Sequence, residues 1–389
     1  MRKILSKALE EIRQRGNYRT IKYVQPLSPT KVRHNGREFL NLCSNSYLSL
    51  HTHPDVLRAA RDAVHEYGAG TCSSRSVSGS LDLYASLEKQ IAQYKGYRRG
   101  LIFPNGYMAN IGMISTLVGE NDVIFSDELN HSSLIDAIRL SGAKKVIYKH
   151  RDVNDLEGKI RRNKTKGKRV IITESVFSMD GDIAPLDEIY ACKEKYGVHV
   201  FVDDAHGTGV FGESGTGVEE MFGLKGAMDV HMATFGKSLG SFGAFVLSDP
   251  IVIEFLINRA RTFMYTTALP PSVLAASLAA LNLIERDTSH KEALWRNIDY
   301  MRKHLGEAGF DLKQSAGPII PILVGKDATA LAMHQTLMRK GIFLTAMRPP
   351  TVPSGTSRLR LTIVSGFTKD ELNYALRAII DAGGKMKLI

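Results

Sequence analysis

The stretch Val198-His-Val-Phe-Val-Asp-Asp-Ala-His-Gly-Thr-Gly209 decides the fold, because an apolar run ends at two acids and passes into a glycine-rich turn. A short apolar run bounded by turn residues is typical of a buried strand, here 198–203. Comparable runs occur at 100–103, 122–125, 144–148, 170–173, 230–234 and 243–247. Between them, helical spacing is found at 107–117, 132–140 and 186–196. This alternation predicts an α/β fold with a mostly parallel central sheet and flanking helices.

The pattern changes after Pro270-Pro271, where a long helical region runs to about residue 308. Strands and helices then resume, at 319–324, 328–340, 358–362 and 369–382. We therefore expect three parts along the chain. They are an N-terminal helical and extended segment at 1–46, a large ligand-binding α/β domain at 47–275 and a small α+β domain at 276–389.

Composition and charge narrow the classes of function. With 389 residues, of which 43% are hydrophobic, the chain can bury a sizeable core. The formal charge is +11, and much of the excess lies in the basic segment 159–169, which we interpret as a solvated loop or helix end. This segment has no interleaved aromatic residues, so a nucleic-acid partner is not expected, while an acidic protein partner stays open.

Cysteine usage and the first residues bear on location. The three cysteines, Cys43, Cys72 and Cys192, are far apart and show no CxxC spacing, so neither a disulfide framework nor a metal site is predicted. The first thirteen residues mix charges with apolar residues at helical spacing and do not resemble an export signal. We expect a cytoplasmic protein without a membrane segment.

A lysine in a second glycine-rich stretch, Ala233-Thr-Phe-Gly-Lys-Ser-Leu-Gly-Ser-Phe-Gly243, indicates the chemistry. The amine of Lys237 can form a Schiff base with the aldehyde of pyridoxal phosphate, and Asp203 can keep the pyridine nitrogen protonated. Both follow predicted strands, at the sheet edge where ligands bind. The sequence therefore predicts pyridoxal phosphate as cofactor, although Asp203 alone could also cap the next turn.

Further residues fall at the same predicted edge. His206 can reach the cofactor ring, and His131 can stack on it. Gly106 and Tyr107 begin a predicted helix, whose free N–H groups can bind a phosphate. The hydroxyl of Thr234 can add a contact. Each of these residues alone also fits an ordinary structural role.

A rival function comes from Gly236-Lys-Ser-Leu-Gly240, which matches the GxSxG pattern of serine hydrolases. Ser238 would then be the nucleophile, with an acid and a histidine later in the chain. The histidines considered for that role, His290 and His334, do not lie in convincing strand-end loops.

Six motifs, in their order and spacing, resemble the α-oxoamine synthase family of fold-type-I pyridoxal phosphate enzymes. They are Asn45-Ser-Tyr-Leu48, Gly70-Thr-Cys-Ser-Ser-Arg-Ser-Val-Ser-Gly79, Asn130-His-Ser-Ser133, Thr173-Glu-Ser-Val-Phe-Ser-Met-Asp-Gly181, Asp203-Asp-Ala-His-Gly-Thr-Gly209 and Thr234-Phe-Gly-Lys237. The resemblance extends from Asn41 to about Ala382. It implies a pyridoxal phosphate-dependent acyltransferase with a smaller C-terminal domain.

The segment Arg348-Pro-Pro-Thr-Val-Pro353 resembles the members that condense L-alanine with a pimeloyl thioester in biotin biosynthesis. The thioester is carried by coenzyme A or by an acyl carrier protein. The resemblance implies that Arg348 binds the amino-acid carboxylate and that Arg19 and Asn45 help to bind substrate. Family members that use glycine or serine remain an alternative.

The resemblance also implies roles for residues already named and for two more. Lys237 acts as the base, while Ser178 or His206 contacts the O3′ oxygen of the cofactor. Thr266, in Tyr265-Thr-Thr-Ala268, contacts the cofactor phosphate of a neighbouring subunit, which implies a homodimer.

Three positions depart from the family pattern, Ser46, Ser49 and Cys72. None of them removes a catalytic group, but they leave the preference for the acyl donor open.

Overall fold

The computed structural model describes residues 1–14 and 18–389. By contacts the chain divides into a smaller unit, Met1–Ser44, Met179–Gly181 and Ala293–Ile389, and a larger unit, Asn45–Ser178 and Asp182–Glu292. This division groups the first 44 residues with the C-terminal segment, whereas the sequence suggested a separate segment at 1–46. The predicted domain boundaries stay a prediction.

The elements are numbered in chain order. The helices are α1 (Arg2–Gln14), α2 (Pro54–Tyr67), α3 (Asp82–Lys95), α4 (Gly106–Leu117), α5 (Ser132–Ser141), α6 (Val153–Arg162), α7 (Leu186–Tyr196), α8 (Val218–Met221), α9 (Pro250–Arg259), α10 (Arg261–Met264), α11 (Pro271–Arg286), α12 (Ser289–Glu307), α13 (Asp327–Arg339) and α14 (Lys369–Lys385). The strands are β1 (Gln25–Ser28), β2 (Lys31–His34), β3 (Arg37–Asn41), β4 (Arg99–Phe103), β5 (Val123–Asp127), β6 (Lys144–Tyr148), β7 (Arg169–Glu174), β8 (His199–Asp203), β9 (Val230–Thr234), β10 (Ala244–Ser248), β11 (Ile319–Gly325), β12 (Ile342–Phe343), β13 (Ala346–Met347) and β14 (Ser357–Thr362).

The larger unit is built on a seven-stranded sheet in the order β4-β10-β9-β8-β7-β5-β6. Strands β5 to β9 run parallel, and β10 is antiparallel to both of its neighbours. The central strands are almost wholly buried, which explains their continuous apolar runs, since helices cover both faces of such a sheet. The predicted mostly parallel sheet is confirmed.

One face of this sheet packs against helices α4, α5 and α9. The shared core consists of fully buried side chains, among them Phe103, Met113, Leu134, Ile172 and Ile253. Such close packing holds the strands rigidly, so the residues at their carboxyl ends have fixed positions.

The smaller unit holds two sheets, β1-β2-β3-β12 and β11-β14-β13. Strand β3 pairs in parallel with β12, with Leu40 opposite Ile342. Helix α14 begins with a capping box, in which Thr368 and Glu371 satisfy each other's backbone N–H groups.

Two further findings concern helices. The helical region that the sequence predicted from Pro271 to about residue 308 is two helices, α11 and α12, separated at Asp287 and Thr288.

Of the helices in the described part of the chain, none has both the length and the apolar content needed to cross a membrane.

Candidate active site

Polar side chains end several adjacent parallel strands of the large sheet. Asp127 ends β5, Glu174 ends β7, Asp203 ends β8 and Thr234 ends β9. The carboxyl ends of parallel strands lie at one edge of a sheet, and ligands bind in the crevice outside that edge. The turn that carries Lys237 follows Thr234 directly.

Lys237 meets His206 at this edge. The Nζ atom of Lys237 lies 3.0 Å from Nε2 of His206, and the hydroxyl of Tyr47 lies 2.6 Å from Nδ1 of the same ring. Both Tyr47 and His206 are buried. Because Tyr47 fixes one ring nitrogen, the other is aimed at the lysine amine and can exchange a proton with it.

Asp203 is held by donors on both of its carboxylate oxygens. Asn110 donates from Nδ2 to Oδ2 over 2.9 Å, and the backbone N–H of Ala205 donates to Oδ1 over 3.0 Å. Asn110 also donates to Oγ of Ser133 over 2.8 Å, and that hydroxyl lies 2.8 Å from Nδ1 of His131. Hydrogen bonds therefore connect the acid to the histidine that is predicted to stack on the cofactor.

The protonation of His131 suits a stacking role. Burial lowers the pKa of its imidazole, and the positive charge of Lys237 lowers it further, while Asp203 only partly opposes this. The ring is therefore neutral near pH 7. A flat, uncharged ring can lie against a heteroaromatic cofactor without repelling a protonated ring nitrogen.

The start of helix α4 has the features of a phosphate site. Asn105 caps the helix by accepting the N–H of Met108 over 2.9 Å, whereas the N–H groups of Gly106 and Tyr107 belong to the first turn and have no partner within a helix. A Cβ atom at Gly106 would lie 3.0 Å from Cγ2 of Thr234, so glycine keeps this approach open. The Oγ1 atom of Thr234 is buried and has no hydrogen-bond partner among the described residues.

These residues together fit pyridoxal phosphate. The helix N-terminus and the buried Thr234 hydroxyl suit its phosphate, Asp203 suits its ring nitrogen, and Lys237 suits its aldehyde.

Three residues at the site were not assigned from sequence: Tyr47, Asn110 and Glu174. The Oε1 atom of Glu174 accepts the backbone N–H of His131 over 2.6 Å. Burial, with the nearby charge of Asp203, raises the pKa of Glu174 well above its ordinary value. Glu174 ends an apolar strand just as Asp203 does, and that signal was available.

Other predicted residues of the larger unit lie on loops. Asn45 accepts a hydrogen bond from the Tyr47 hydroxyl at 3.4 Å, which connects it to His206. Ser178 is half-buried in a hairpin closed by the bridge between Val176 and Ile183. Thr266 is half-buried beside Thr267, which pairs with Ser74.

Two departures from the family pattern share a backbone property. Ser49 has φ 58° and Cys72 has φ 52°, so both lie in the left-handed region. Glycine occupies this region with little strain, whereas a residue with a Cβ atom, such as Ser49 or Cys72, pays an energetic cost there.

Arg19 and Arg348 lie in the smaller unit. Arg19 donates to Oγ1 of Thr351 over 2.8 Å, and the N–H of Thr351 donates to the carbonyl of Arg348 over 3.0 Å. Lys22 lies 3.0 Å from His334, whose pKa is lowered by burial and then by the charges of Lys22 and Arg348. Clustered basic groups of this kind suit a carboxylate.

The surroundings of Ser238 do not support the hydrolase interpretation. Its side chain is only 1% exposed, and its hydroxyl donates to the carbonyl of Thr208 over 2.5 Å. His290 packs edge-on against His53, and His334 lies 3.0 Å from Lys22. The Ser238 hydroxyl is thus a structural donor and not an activated nucleophile.

Comparison with known proteins identifies the family. Residues 37–379 match the family described as "Aminotransferase class I and II". The chain belongs to the aminotransferase class I and II family. A curated relative from Geobacter sulfurreducens, named 8-amino-7-oxononanoate synthase, is 44% identical, with 100% of both chains covered.

Two solved structures are also similar to this chain. Serine palmitoyltransferase from S. paucimobilis, a variant with bound PLP-myriocin aldimine, has a TM-score of 0.93 at 31% identity, covering 99% of this chain and 98% of that one. An 8-amino-7-oxononanoate synthase from Francisella tularensis has a TM-score of 0.78 at 29% identity, covering 90% and 99%. The resemblance and the fold-type-I class predicted from the sequence are confirmed.

Proposed function

We propose that this chain binds pyridoxal phosphate and condenses L-alanine with a pimeloyl thioester, releasing carbon dioxide and the thiol to give 8-amino-7-oxononanoate for biotin biosynthesis. The observation that carries the proposal is the 3.0 Å approach of Lys237 Nζ to His206 Nε2 at the sheet edge where Asp203 ends its strand. The names of the full-length relatives that are 41–44% identical support the choice of reaction.

The bound cofactor supplies an aldehyde for the amino group and a ring that accepts the electron pair left by a departing proton or carboxylate. Around it, Asp203 would keep a proton at the ring nitrogen, and His131 would lie against the ring face. Lys237 takes the α-proton of alanine, and His206 receives and returns a proton at Nε2.

Other residues bind the charged and polar groups. The N–H groups of Gly106 and Tyr107 and the hydroxyl of Thr234 would hold the phosphate, and Ser178 or His206 would contact the O3′ oxygen. Within the smaller unit, Arg348 receives the alanine carboxylate, with Arg19 in support. Asn45 also contacts the substrate.

The enzyme acts as a homodimer in this proposal, with Thr266 reaching the phosphate of the other copy. The acyl donor is pimeloyl-coenzyme A or the pimeloyl thioester of an acyl carrier protein.

A second candidate uses serine or glycine in place of alanine. It is favoured by the TM-score of 0.93 to serine palmitoyltransferase, which exceeds the 0.78 to the solved 8-amino-7-oxononanoate synthase. The greater sequence identity to synthases of the first kind argues for alanine.

The test is product mass spectrometry after incubating cofactor-loaded protein with pimeloyl-coenzyme A, or with the carrier thioester, and each amino acid separately. We expect 8-amino-7-oxononanoate from alanine only, and none from the Lys237→Ala variant. Product from serine or glycine alone would select the second candidate, and simple thioester hydrolysis would restore the hydrolase interpretation of Ser238.

A further inference from the structure

A buried ion pair that the proposed reaction does not use lies next to the active site. Lys95, the last residue of α3, is 3% exposed, and its Nζ lies 2.8 Å from Oδ2 of Asp204, which is 0% exposed. Asp204 follows Asp203 directly in the chain. Removing two charges from water costs free energy. We therefore ask which part of the structure this buried pair holds in place.

The turn that carries His206 is folded around Asp204. Its carboxylate accepts hydrogen bonds from Ser175 over 2.5 Å and from Thr208 Oγ1 over 2.9 Å. Its carbonyl accepts the N–H groups of Gly207 over 3.0 Å and Thr208 over 3.2 Å. Any Cβ atom at Gly207 would overlap the carboxylate, so the turn closes tightly on this one anion.

The anion itself is stable. Burial raises the pKa of Asp204, but the charges of Lys95 and His231 and the hydrogen bonds from Lys95 and Ser175 outweigh it, and the net shift is downward. Lys95 also lies 3.0 Å from Oγ1 of Thr208, so the cation and the anion hold the same threonine.

Thr208 connects this pair to the lysine turn. Its carbonyl accepts the hydroxyl of Ser238 over 2.5 Å, and Ser238 follows Lys237. A Cβ atom at the next residue, Gly209, would lie 2.9 Å from the Ser238 side chain, so the two turns are in close contact. Continuous contacts therefore run from Lys95 through Asp204 and Thr208 to Ser238.

We propose that Lys95, Asp204, Thr208 and Ser238 form a positioning relay that holds the His206 turn against the Lys237 turn. The relay thereby fixes the 3.0 Å contact between Lys237 Nζ and His206 Nε2. The inference rests on the proposed function in one respect, that Lys237 and His206 are the reacting pair. It also explains the GxSxG match, because Ser238 fastens one turn to the other.

The deciding variant is Ser238→Ala, with Ser248→Ala as its matched control. Ser248 is 2% exposed and also donates its hydroxyl to a backbone carbonyl, that of Asp229, over 2.5 Å. It ends strand β10 and belongs to neither turn. Both variants thus lose the same kind of buried hydrogen bond, so their melting temperatures should fall by similar amounts.

Of the two variants, we expect only Ser238→Ala to lower kcat, by about tenfold, because a small displacement of reacting groups slows a reaction strongly. Its KM for alanine should stay within about twofold of the wild-type value. It should also alter the absorption spectrum of the bound cofactor at fixed pH and speed cofactor loss on dilution. Equal activity loss and unchanged spectra in both variants would overturn the relay. Failure of the proposed function looks different, because wild-type protein would then form no aminoketone.

Lys95→Met removes the nearest cation from a buried carboxylate and is expected to fold poorly, so Thr208→Val is the second variant. It removes the hydroxyl that bonds to the Asp204 carboxylate and to Lys95, and it keeps the carbonyl that receives Ser238. The cofactor spectrum should change in the same direction as in Ser238→Ala, and an unchanged spectrum with a lowered melting temperature would count against the relay.

Discussion

At the scale of single residues, Thr234 is suited to binding a ligand but lowers the stability of the cofactor-free protein. Its Oγ1 atom is buried beside Gly106 and has no partner among the described residues. A buried hydroxyl without a partner destabilises a protein by about 1–3 kcal/mol.

We therefore expect Thr234→Val to have opposite effects in the two forms of the protein. The cofactor-free variant should unfold at a higher temperature than wild type, while its affinity for pyridoxal phosphate should fall about tenfold, as expected for a lost hydrogen bond to a charged group. Calorimetry and equilibrium dialysis measure the two effects.

The control is Thr362→Val, because the Thr362 hydroxyl already accepts a hydrogen bond from Arg360 over 3.0 Å. That variant should lose stability in both forms. A lower melting temperature for cofactor-free Thr234→Val would contradict the assignment.

Some residues of the candidate site could be predicted from the sequence, and others could not. Asp203, His131, His206 and Lys237 stand at ends of predicted strands or on glycine-rich turns, so local pattern was enough to propose them. Tyr47 and Asn110 were missed because their partners, His206 and Asp203, lie 159 and 93 residues away in the chain. No local period or spacing encodes such contacts.

At the scale of elements, three segments with clear stops were predicted to the residue, while most other predicted strands were off by one or two residues. Strands β6 and β9 and helix α7 have the predicted bounds, and α7 ends at Gly197 with φ 58°, a conformation that glycine favours. Strands β1 and β2 were missed because most of their side chains are exposed, which removes the alternation that marks a half-buried strand.

The hairpin that follows β7 is anchored by an ion-paired histidine. His150 lies with Nδ1 2.9 Å from Asp127 and Nε2 2.8 Å from Asp182, which is in the hairpin. Burial opposes the charged ring, but hydrogen bonds to these two carboxylates outweigh it and raise the pKa of His150 to about 9.

This anchor predicts a loss of stability at alkaline pH. A histidine with a raised folded-state pKa contributes fully below its unfolded value of about 6.5, and the contribution disappears as pH rises through about 9. The free energy of unfolding of wild type should therefore fall more between pH 7 and 9.5 than that of His150→Gln.

Denaturant titrations at several pH values measure this difference. His199→Gln is the control, because His199 forms an exposed pair with Asp229 at 3.3 Å, and such pairs contribute little. Parallel pH profiles for wild type and His150→Gln would show that the anchor is unimportant.

The basic segment 159–169 lies at the wrong end of its strand to deliver a substrate. It comprises the last turn of α6 and the loop that leads into β7, while the active-site residues lie at the other end of the strands. Six residues of β7 span about 20 Å.

Charge reversal by Lys164→Glu with Lys166→Glu should therefore leave KM for the pimeloyl carrier thioester unchanged. Steady-state kinetics with the carrier substrate and, as a control, with pimeloyl-coenzyme A measure the effect. A rise in KM for the carrier substrate alone would assign the segment to carrier binding after all.

At the scale of the whole molecule, exposed apolar side chains favour a second copy of the chain. Tyr265 is 71% exposed and Val77 is 79% exposed, on segments joined by the pairing of Ser74 with Thr267. Tyr265 precedes Thr266, the residue predicted to act in the neighbouring subunit.

We expect light scattering to give the mass of a dimer, and Tyr265→Glu to lower dimer content and activity in parallel, because burying a charge at the interface is unfavourable. Ile147→Glu, at an exposed position of the edge strand β6, should change neither. An active monomer would contradict both the dimer and the role of Thr266.

The pairing of β3 with β12 has a consequence for how the chain emerges from the ribosome. Leu40 is opposite Ile342, so the partner strand is translated about 300 residues later. At 5–20 residues per second this delay is roughly 15 s to one minute. During that interval Phe39 and Leu40 of the nascent N-terminal hairpin lack their partner strand and stay exposed. These apolar side chains are a binding site for a chaperone.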